Sequence, residues 1–317
     1  MTISPDLKNQ LRLPLISAPM FLVSGPDLVI ASCKAGIVGS FPTLNARTVE
    51  ILDQWMARIT DELKQAKTAD PAAKIGPWAA NLIVHSSNNR LQADLDLVLK
   101  YKPPIVITAL GSPTNIIEAV HSYGGQVFAD VNSIPFARKA AATGVDGLVL
   151  VCSGAGGHTG QTANFAFVTA VREFFDGAIV LAGSISQGGA IRAAEVLGAD
   201  FAYMGTSFIA TTESMADPAY KQMLVSSTVE DIVCTDAFTG AWANMLKPSI
   251  EAAGIDLMTF EKTKKIDAND PQDETRAWKN IWSAGHGVSV VHRTEPTRQI
   301  VDRLCDEYKK ACQIPAF

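Results

Sequence analysis

The sequence predicts a (β/α)8 barrel, and three observations support this fold class. Eight short apolar runs each end in a turn containing glycine, proline, serine or asparagine, and longer helix-like stretches separate them. The runs are apolar at consecutive positions, which is typical of parallel strands covered on both faces. A chain of 317 residues, 47% of them hydrophobic, can enclose one large core. A doubly wound sheet has the same local pattern, so the count of eight favours the barrel.

The predicted elements alternate along the first two thirds of the chain. The eight predicted strands cover residues 15–18, 37–40, 78–83, 105–109, 126–129, 147–152, 178–182 and 201–204. The amphipathic stretches that we predict as helices include 46–67, 90–100, 135–143 and 188–197.

The alternation stops after Ser207. Residues 212–285 have mostly helical character, with polar breaks at Asp217-Pro218 and Asp270-Pro271. We therefore predict a barrel from residues 1–211 and 286–317, with 212–285 as a helical insertion or lid beside its mouth. Within the barrel part, residues 296–312 are predicted to form a closing helix.

Composition excludes several classes of function. The formal net charge is -5 and basic residues do not cluster, so nucleic-acid binding is not expected. The five cysteines are scattered and never form a CxxC pair, which argues against a disulfide framework and against a metal site. No signal peptide or long apolar run is evident, so we expect no membrane partner and a cytoplasmic protein.

Active sites on this fold lie where the strands end, so the residues after each predicted strand are the candidates. Ala18-Pro19-Met20 follows the first strand, and the backbone N–H of Met20 can be offered to a flat ligand. The alternative is a loop with a core methionine. Asn81, on the third strand, needs partners for both ends of its amide. A ligand with imide-like groups or a neighbouring loop would supply them.

The segment 152–160, after the sixth strand, is the most informative one. Gly154, Gly156 and Gly157 allow the backbone to approach a ligand closely, and His158 can act as base or acid near neutral pH. A dinucleotide-binding turn would require glycine where Thr159 stands, and it normally opens a domain. A flexible glycine loop with an exposed histidine is the remaining alternative.

Small residues follow the seventh and eighth strands. Gly183-Ser184 and Gly205-Thr206 stand where barrels often bind phosphate through backbone N–H groups and hydroxyls. Together the two loops predict a phosphate site. Of the other histidines, His286 is flanked by glycines and is the one most able to enter the site from the insertion.

These residues, in this order over nearly the whole chain, resemble the nitronate monooxygenases. The resemblance implies FMN as cofactor and oxidation of alkyl nitronates by dioxygen to a carbonyl compound and nitrite, with neutral nitroalkanes as further candidate substrates. It implies that His158 is the catalytic base or the group that orients the substrate. We expect the cofactor to contact Ala18, Met20, Asn81, Asp130, Gly156, Gly157, Gly183, Ser184, Gly205 and Thr206.

The sequence departs from the family pattern at three positions. Many members have glutamate at Gly154 and glycine at Ser184, which matters little if backbone groups hold the phosphate. Some relatives have lysine near the end of the fifth strand, where Asp130 stands here. A carboxylate near the flavin would disfavour the anionic reduced ring, so Asp130 bears on the reaction more than on the cofactor.

Two alternative functions fit the same barrel. An FMN-dependent reductase would use NAD(P)H to reduce quinones or enoyl thioesters. A protein without catalysis would only bind a phosphate or another ligand, but binding alone does not require a titrating histidine between glycine turns. A homodimer is the candidate assembly.

Overall fold

The computed structural model describes residues 5–238, 240–256 and 281–315. Its strands, in chain order, are β1 (Leu15–Ser17), β2 (Val38–Pro42), β3 (Trp78–Ile83), β4 (Ile105–Ala109), β5 (Gln126–Val131), β6 (Gly147–Val151), β7 (Gly157–His158), β8 (Ala178–Ala182), β9 (Phe201–Met204), β10 (Ile232–Thr235) and β11 (Ala243–Leu246).

Eight of these strands form a closed parallel barrel in the order β1-β2-β3-β4-β5-β6-β8-β9. Closure is made by β9 pairing with β1, where Ile16 lies opposite Tyr203. The predicted fold class is therefore confirmed, and every predicted strand overlaps an observed one. Both β2 and β5 continue two residues beyond the predicted end, and β5 so includes Asp130.

The helices that the structure describes lie mostly between consecutive barrel strands. They are α1 (Pro5–Asn9), α2 (Pro26–Ala35), α3 (Val49–Ala69), α4 (Leu91–Tyr101), α5 (Thr114–His121), α6 (Ile134–Ala141), α7 (Asn164–Arg172), α8 (Gly188–Leu197), α9 (Thr206–Ile209), α10 (Pro218–Ser226), α11 (Lys247–Ala252) and α12 (Thr297–Cys312). Three short 3-10 segments cover Thr43–Asn45, Val229–Asp231 and His286–Val290.

The two faces of each barrel strand belong to different cores, which explains the consecutive apolar positions. On β6, Val149 belongs to the cluster inside the barrel, together with Phe128 and Phe201. Its neighbours Leu148 and Leu150 belong to the cluster shared with the surrounding helices. Since side chains alternate across a strand, both faces must be apolar for the strand to be buried on both sides.

The predicted insertion contains strands as well as helices. Between α10 and α11, β10 pairs with β11 in antiparallel register, and β11 pairs in turn with β7 from the barrel mouth. The sequence analysis did not predict these two strands, because four-residue apolar runs are ambiguous and the partner β7 lies far away in sequence. Residues 257–280 of the insertion lie outside the described residues.

The closing helix α12 packs on the outside of the barrel next to α2 and α8. Ile300 and Leu304 join a core cluster with Leu28 of α2 and Ile191 of α8. Within the described parts of the chain, no helix is long and apolar enough to cross a membrane.

Candidate active site

The loops after β6, β8 and β9 pack backbone against backbone at the barrel mouth. The N–H of Ser184 donates to the carbonyl of Gly154 at 3.3 Å. A Cβ on Gly154 would lie only 1.8 Å from Ser184 Oγ, so no larger residue fits there without displacing that hydroxyl. The loops after β6 and β8 can therefore lie this close because position 154 has no side chain.

A fourth segment, Ser283 to Gly287, completes this arrangement. The N–H of Gly285 donates to Thr206 Oγ1 at 2.9 Å, and the N–H of His286 donates to the carbonyl of Gly154 at 3.1 Å. A Cβ on Gly156 would lie 2.6 Å from the nitrogen of Gly285. We call Gly154, Gly156, Ser184, Thr206 and Gly285 the cradle, since their small size holds four chain segments together.

The backbone after β8 is held in an uncommon conformation. Gly183 has φ 112° and Ser184 has φ 57°. The left-handed region costs a residue with a Cβ about 1–2 kcal/mol. The carbonyl of Gly183 accepts a hydrogen bond from Asn164 Nδ2 at 2.8 Å, which helps to hold the turn. Strain of this kind clusters at functional sites. Here the strained turn places the Ser184 hydroxyl against Gly154, the other cradle residue it faces.

His158 lies on β7, where it pairs with Ala243 of β11. Its side chain is exposed at the mouth, while the surrounding protein desolvates the imidazolium and lowers the pKa of His158 from its ordinary value. The neutral imidazole is therefore the main form at neutral pH, which is the form that can accept a proton. Gly157, before it, has φ 67°, a conformation that favours glycine.

Asn244 on β11 fixes the loop that carries His158. Its Nδ2 group donates to the carbonyl of Ser153 at 3.0 Å and to that of Ala155 at 2.7 Å. Asn244 is 1% exposed, so both bonds are shielded from water. The sequence analysis missed this residue. The available signal was a lone polar residue in the apolar run 243–246, but its partners lie about ninety residues earlier.

The loop after β1 differs from the expectation at Met20. Its N–H donates to Ser24 Oγ at 3.0 Å, so this group is used within the loop rather than left open. The reason is local: the loop turns back on itself, and Asn45 Nδ2 binds the Met20 carbonyl at 2.9 Å. The side chain of Met20 contacts the loop after β9: a Cβ added at Gly205 would lie 3.3 Å from the Met20 sulfur. The same added Cβ would lie 3.7 Å from the Cβ of Ala18.

Asn81 and Asp130 lie on β3 and β5, away from the cradle. The amide of Asn81 is buried, and its Nδ2 donates to the carbonyl of Ile107 on the neighbouring strand at 3.2 Å. One donor of this amide is thus used within the barrel. Burial raises the pKa of Asp130 to about 7. Its charge contributes to the raised pKa of Tyr203 on β9, which the sequence analysis did not single out.

The remaining histidines divide between the site and the surface. His286 reaches the site through its backbone N–H, as described above. His85 Nδ1 lies 2.7 Å from Ser87 Oγ, and His121 Nε2 lies 2.8 Å from Asp146 Oδ2 at the end of α5. Across the described residues, no group of three or more metal-ligating side chains converges.

A closed parallel barrel with glycines, hydroxyls and a histidine in its loops is typical of barrel enzymes, whose active sites lie at the C-terminal ends of the strands. Comparison with known families makes the assignment more specific: the family described as nitronate monooxygenase matches residues 6–307. The chain therefore belongs to the nitronate monooxygenase family, and it is an oxidoreductase.

Individual proteins share the sequence or the fold of this chain. A nitronate monooxygenase from Paraburkholderia phytofirmans is 28% identical, covering 95% of this chain and 93% of the relative. The structure of FabK from Thermotoga maritima superposes with a TM-score of 0.80 at 25% identity and covers 98% of both chains. A nitroalkane oxidase from Streptomyces ansochromogenes has the same fold, with a TM-score of 0.80, 23% identity, and coverage of 96% of this chain and 98% of the other.

Proposed function

We propose that this enzyme binds FMN at the barrel mouth and oxidises alkyl nitronates with dioxygen to a carbonyl compound and nitrite. The observation that carries the proposal is the cradle, whose members Gly154 and Gly156 lie just before His158 in the loop after β6. Membership of the nitronate monooxygenase family supports the same chemistry.

The cradle fits a phosphate group. A hydroxyl has one donor and two acceptor positions, so Thr206 Oγ1 can accept from Gly285 and still donate to a phosphate oxygen. The Ser184 hydroxyl offers a second donor, and the glycines let backbone groups come close. The proposed contacts through Gly156, Gly157, Gly183 and Gly205 are of this backbone type. A single phosphate site without a dinucleotide fingerprint favours FMN over FAD.

The ring of the flavin would lie over the inner ends of the strands. There Ala18 and the side chain of Met20 offer apolar contact next to Gly205. Asn81 and Asp130 lie in the C-terminal halves of β3 and β5, and their polar groups suit the polar edge of a ring with imide groups. The flavin, when bound, supplies the electron transfer from substrate to dioxygen, which no side chain can perform.

His158 would handle the proton and the orientation of the substrate. A neutral nitroalkane must lose its α-proton before it can be oxidised, and the neutral imidazole can take that proton. A nitronate has already lost it, so His158 would only position the substrate by donating a hydrogen bond to a nitro oxygen. The lowered pKa keeps the base form available at neutral pH.

The test uses the purified protein reconstituted with FMN. We expect one FMN per chain, and anaerobic bleaching of the flavin by the nitronate of 2-nitropropane. Admission of air should then restore the colour and release nitrite. Rapid bleaching by NAD(P)H in place of nitronate would instead identify a reductase. Failure to retain any flavin would leave only a ligand-binding barrel.

A further inference from the structure

Two buried polar atoms inside the barrel mouth, Asp130 Oδ1 and Tyr203 Oη, have no hydrogen-bond partner among the described residues. Tyr203 packs on the cluster inside the barrel, and Asp130 follows Phe128 of that cluster by two positions on β5. Since side chains alternate along a strand, both face the interior. The two side chains are near enough for the charge of Asp130 to act on Tyr203. Since buried polar groups nearly always find partners, these two atoms point to a bound group that supplies them.

The two side chains differ in what they can do near neutral pH. Desolvation raises the pKa of Asp130 to about 7, so its carboxyl group changes charge in the physiological range. Desolvation, with a smaller contribution from the charge of Asp130, raises the pKa of Tyr203 well above its ordinary value. Tyr203 therefore remains a neutral hydroxyl, and Asp130 is the group that can exchange a proton.

The pKa of Asp130 is raised by burial, and the interior residues on the neighbouring strands carry no charge. The neighbouring strands β4 and β6 contribute Ile107 and Val149 to the interior, and neither residue titrates. Among described residues, Tyr203 of β9 is the titratable group whose pKa responds to Asp130. His158, a titratable group of the loop after β6, lies on β7, and its lowered pKa is caused by desolvation. Desolvation also raises the pKa of Cys152 in the same loop to about 12.

We propose that Asp130 takes up one proton from solvent when a flavin at the mouth is reduced and returns it when the flavin is reoxidised, with Tyr203 as a neutral hydroxyl beside it. This inference rests on the proposed function, since it needs the flavin. The two electrons come from the substrate. The proton forms an O–H bond on the Asp130 carboxylate, and no heavy-atom bond is broken.

The physical reason is repulsion between like charges. Reduction brings negative charge to the ring, and a nearby carboxylate is then easier to protonate. Since the pKa of Asp130 is about 7, the carboxyl is largely ionised before reduction at a pH somewhat above neutrality. Reduction raises that pKa, so Asp130 takes up a proton at pH values between the two pKa values. Below pH 7 it is already protonated, so reduction adds nothing at this residue. The carboxylate thus need not oppose the anionic reduced ring that the family chemistry implies.

The test is a redox titration of the flavin-loaded protein from about pH 6 to about pH 9, a range that brackets neutrality for an acid of raised pKa. The slope of midpoint potential against pH gives the protons taken up per two electrons. We expect one additional proton above neutrality in the unaltered protein. Asp130→Asn should lose it, and Tyr203→Phe, the matched control that removes the other buried polar atom, should keep it.

The possible results separate this inference from the proposed function. A flavin-loaded Asp130→Asn protein with the unaltered slope overturns the inference alone, as does loss of the additional proton in Tyr203→Phe. Absence of bound flavin overturns both. A second measurement needs no flavin: the infrared band of a protonated carboxyl group should titrate near neutrality and vanish in Asp130→Asn. A band that titrates at the ordinary pKa of an aspartate would overturn the inference.

Discussion

The cradle and the interior of the mouth are built on opposite principles. The cradle consists of glycines and two hydroxyls, and its polar backbone groups bind one another across four chain segments. The interior contains Asp130 and Tyr203, whose buried atoms lack partners among the described residues. His158 lies on β7, after the loop that carries Gly154 and Gly156, and the surrounding protein lowers its pKa. This difference predicts that substitutions can separate flavin binding from proton transfer. Variants that disrupt the cradle should lose flavin, while variants of His158 or Asp130 should keep it.

The largest expected effect is at His158. His158→Asn should reduce turnover of neutral nitroalkanes by about 10²–10⁴-fold, because the general base is lost. Turnover of nitronates should fall much less, since asparagine can still donate a hydrogen bond. Because the pKa of His158 is lowered from 6.5, nitroalkane turnover should stay level at neutral pH and decline only on the acid side of 6.5.

Steady-state kinetics with the two substrates, at equal flavin content, checks this prediction. An equal loss with both substrates would make His158 an orienting group rather than a base. No loss with either would remove it from the mechanism. Because the contrast with the cradle requires that flavin binding survives, loss of flavin in His158→Asn would break that contrast directly.

The second effect tests the cradle. Thr206→Glu places a carboxylate where a phosphate is proposed, and two charges about 4 Å apart repel by about 4 kcal/mol at an effective dielectric constant near 20. We expect flavin affinity to fall by about 10²–10³-fold with the fold intact. Thr206→Ser, which keeps the hydroxyl that Gly285 binds, is the matched control and should retain flavin. Equal flavin content in the glutamate variant would mean that the phosphate binds elsewhere.

These two regions also show how much the sequence could predict. The strand bounds, the mouth and most cradle positions follow from local patterns, because glycines in a turn and apolar runs act over a few residues. Tyr203 could not be identified, because its meaning depends on facing Asp130 across a closed barrel. Asn244 was missed for the same reason: it acts on a loop about ninety residues away. The hydrogen bond from the Met20 N–H to Ser24 within the same turn could not be derived from spacing alone.

The third effect is on stability and requires no flavin. The pKa of Asp130 is about 7 in the folded protein and 3.8 as its ordinary value. A folded pKa above the unfolded one favours folding fully below pH 3.8, and that contribution is lost as pH rises to about 7. About three pKa units correspond to about 4 kcal/mol. Asp130→Asn should therefore gain stability relative to the unaltered protein as pH rises from acid to neutral.

Urea unfolding of the flavin-free protein at several pH values measures this difference. Tyr203→Phe serves as the control, because it keeps the titrating carboxyl and should preserve most of the pH dependence. If Asp130→Asn and the unaltered protein have parallel stability curves, Asp130 is not desolvated, and the contrast between the hydrogen-bonded backbone of the cradle and the unpartnered interior atoms is lost.

The smallest expected effect is at Asn244, which binds the loop that carries both Gly154 of the cradle and His158. Its Nδ2 group holds the carbonyls of Ser153 and Ala155, just before His158. Each such bond contributes about 0.5–1.5 kcal/mol, so Asn244→Ala should lower the free energy of unfolding by about 1–3 kcal/mol. The two carbonyls flank Gly154 of the cradle, but the bond between Gly285 and Thr206 does not depend on Asn244. Nitroalkane turnover should therefore fall more than flavin content. Asn244→Gln, which keeps both donors on a longer side chain, should recover part of the turnover. A loss of flavin as large as that of turnover would show that the two regions are one mechanical unit, against the separation proposed here.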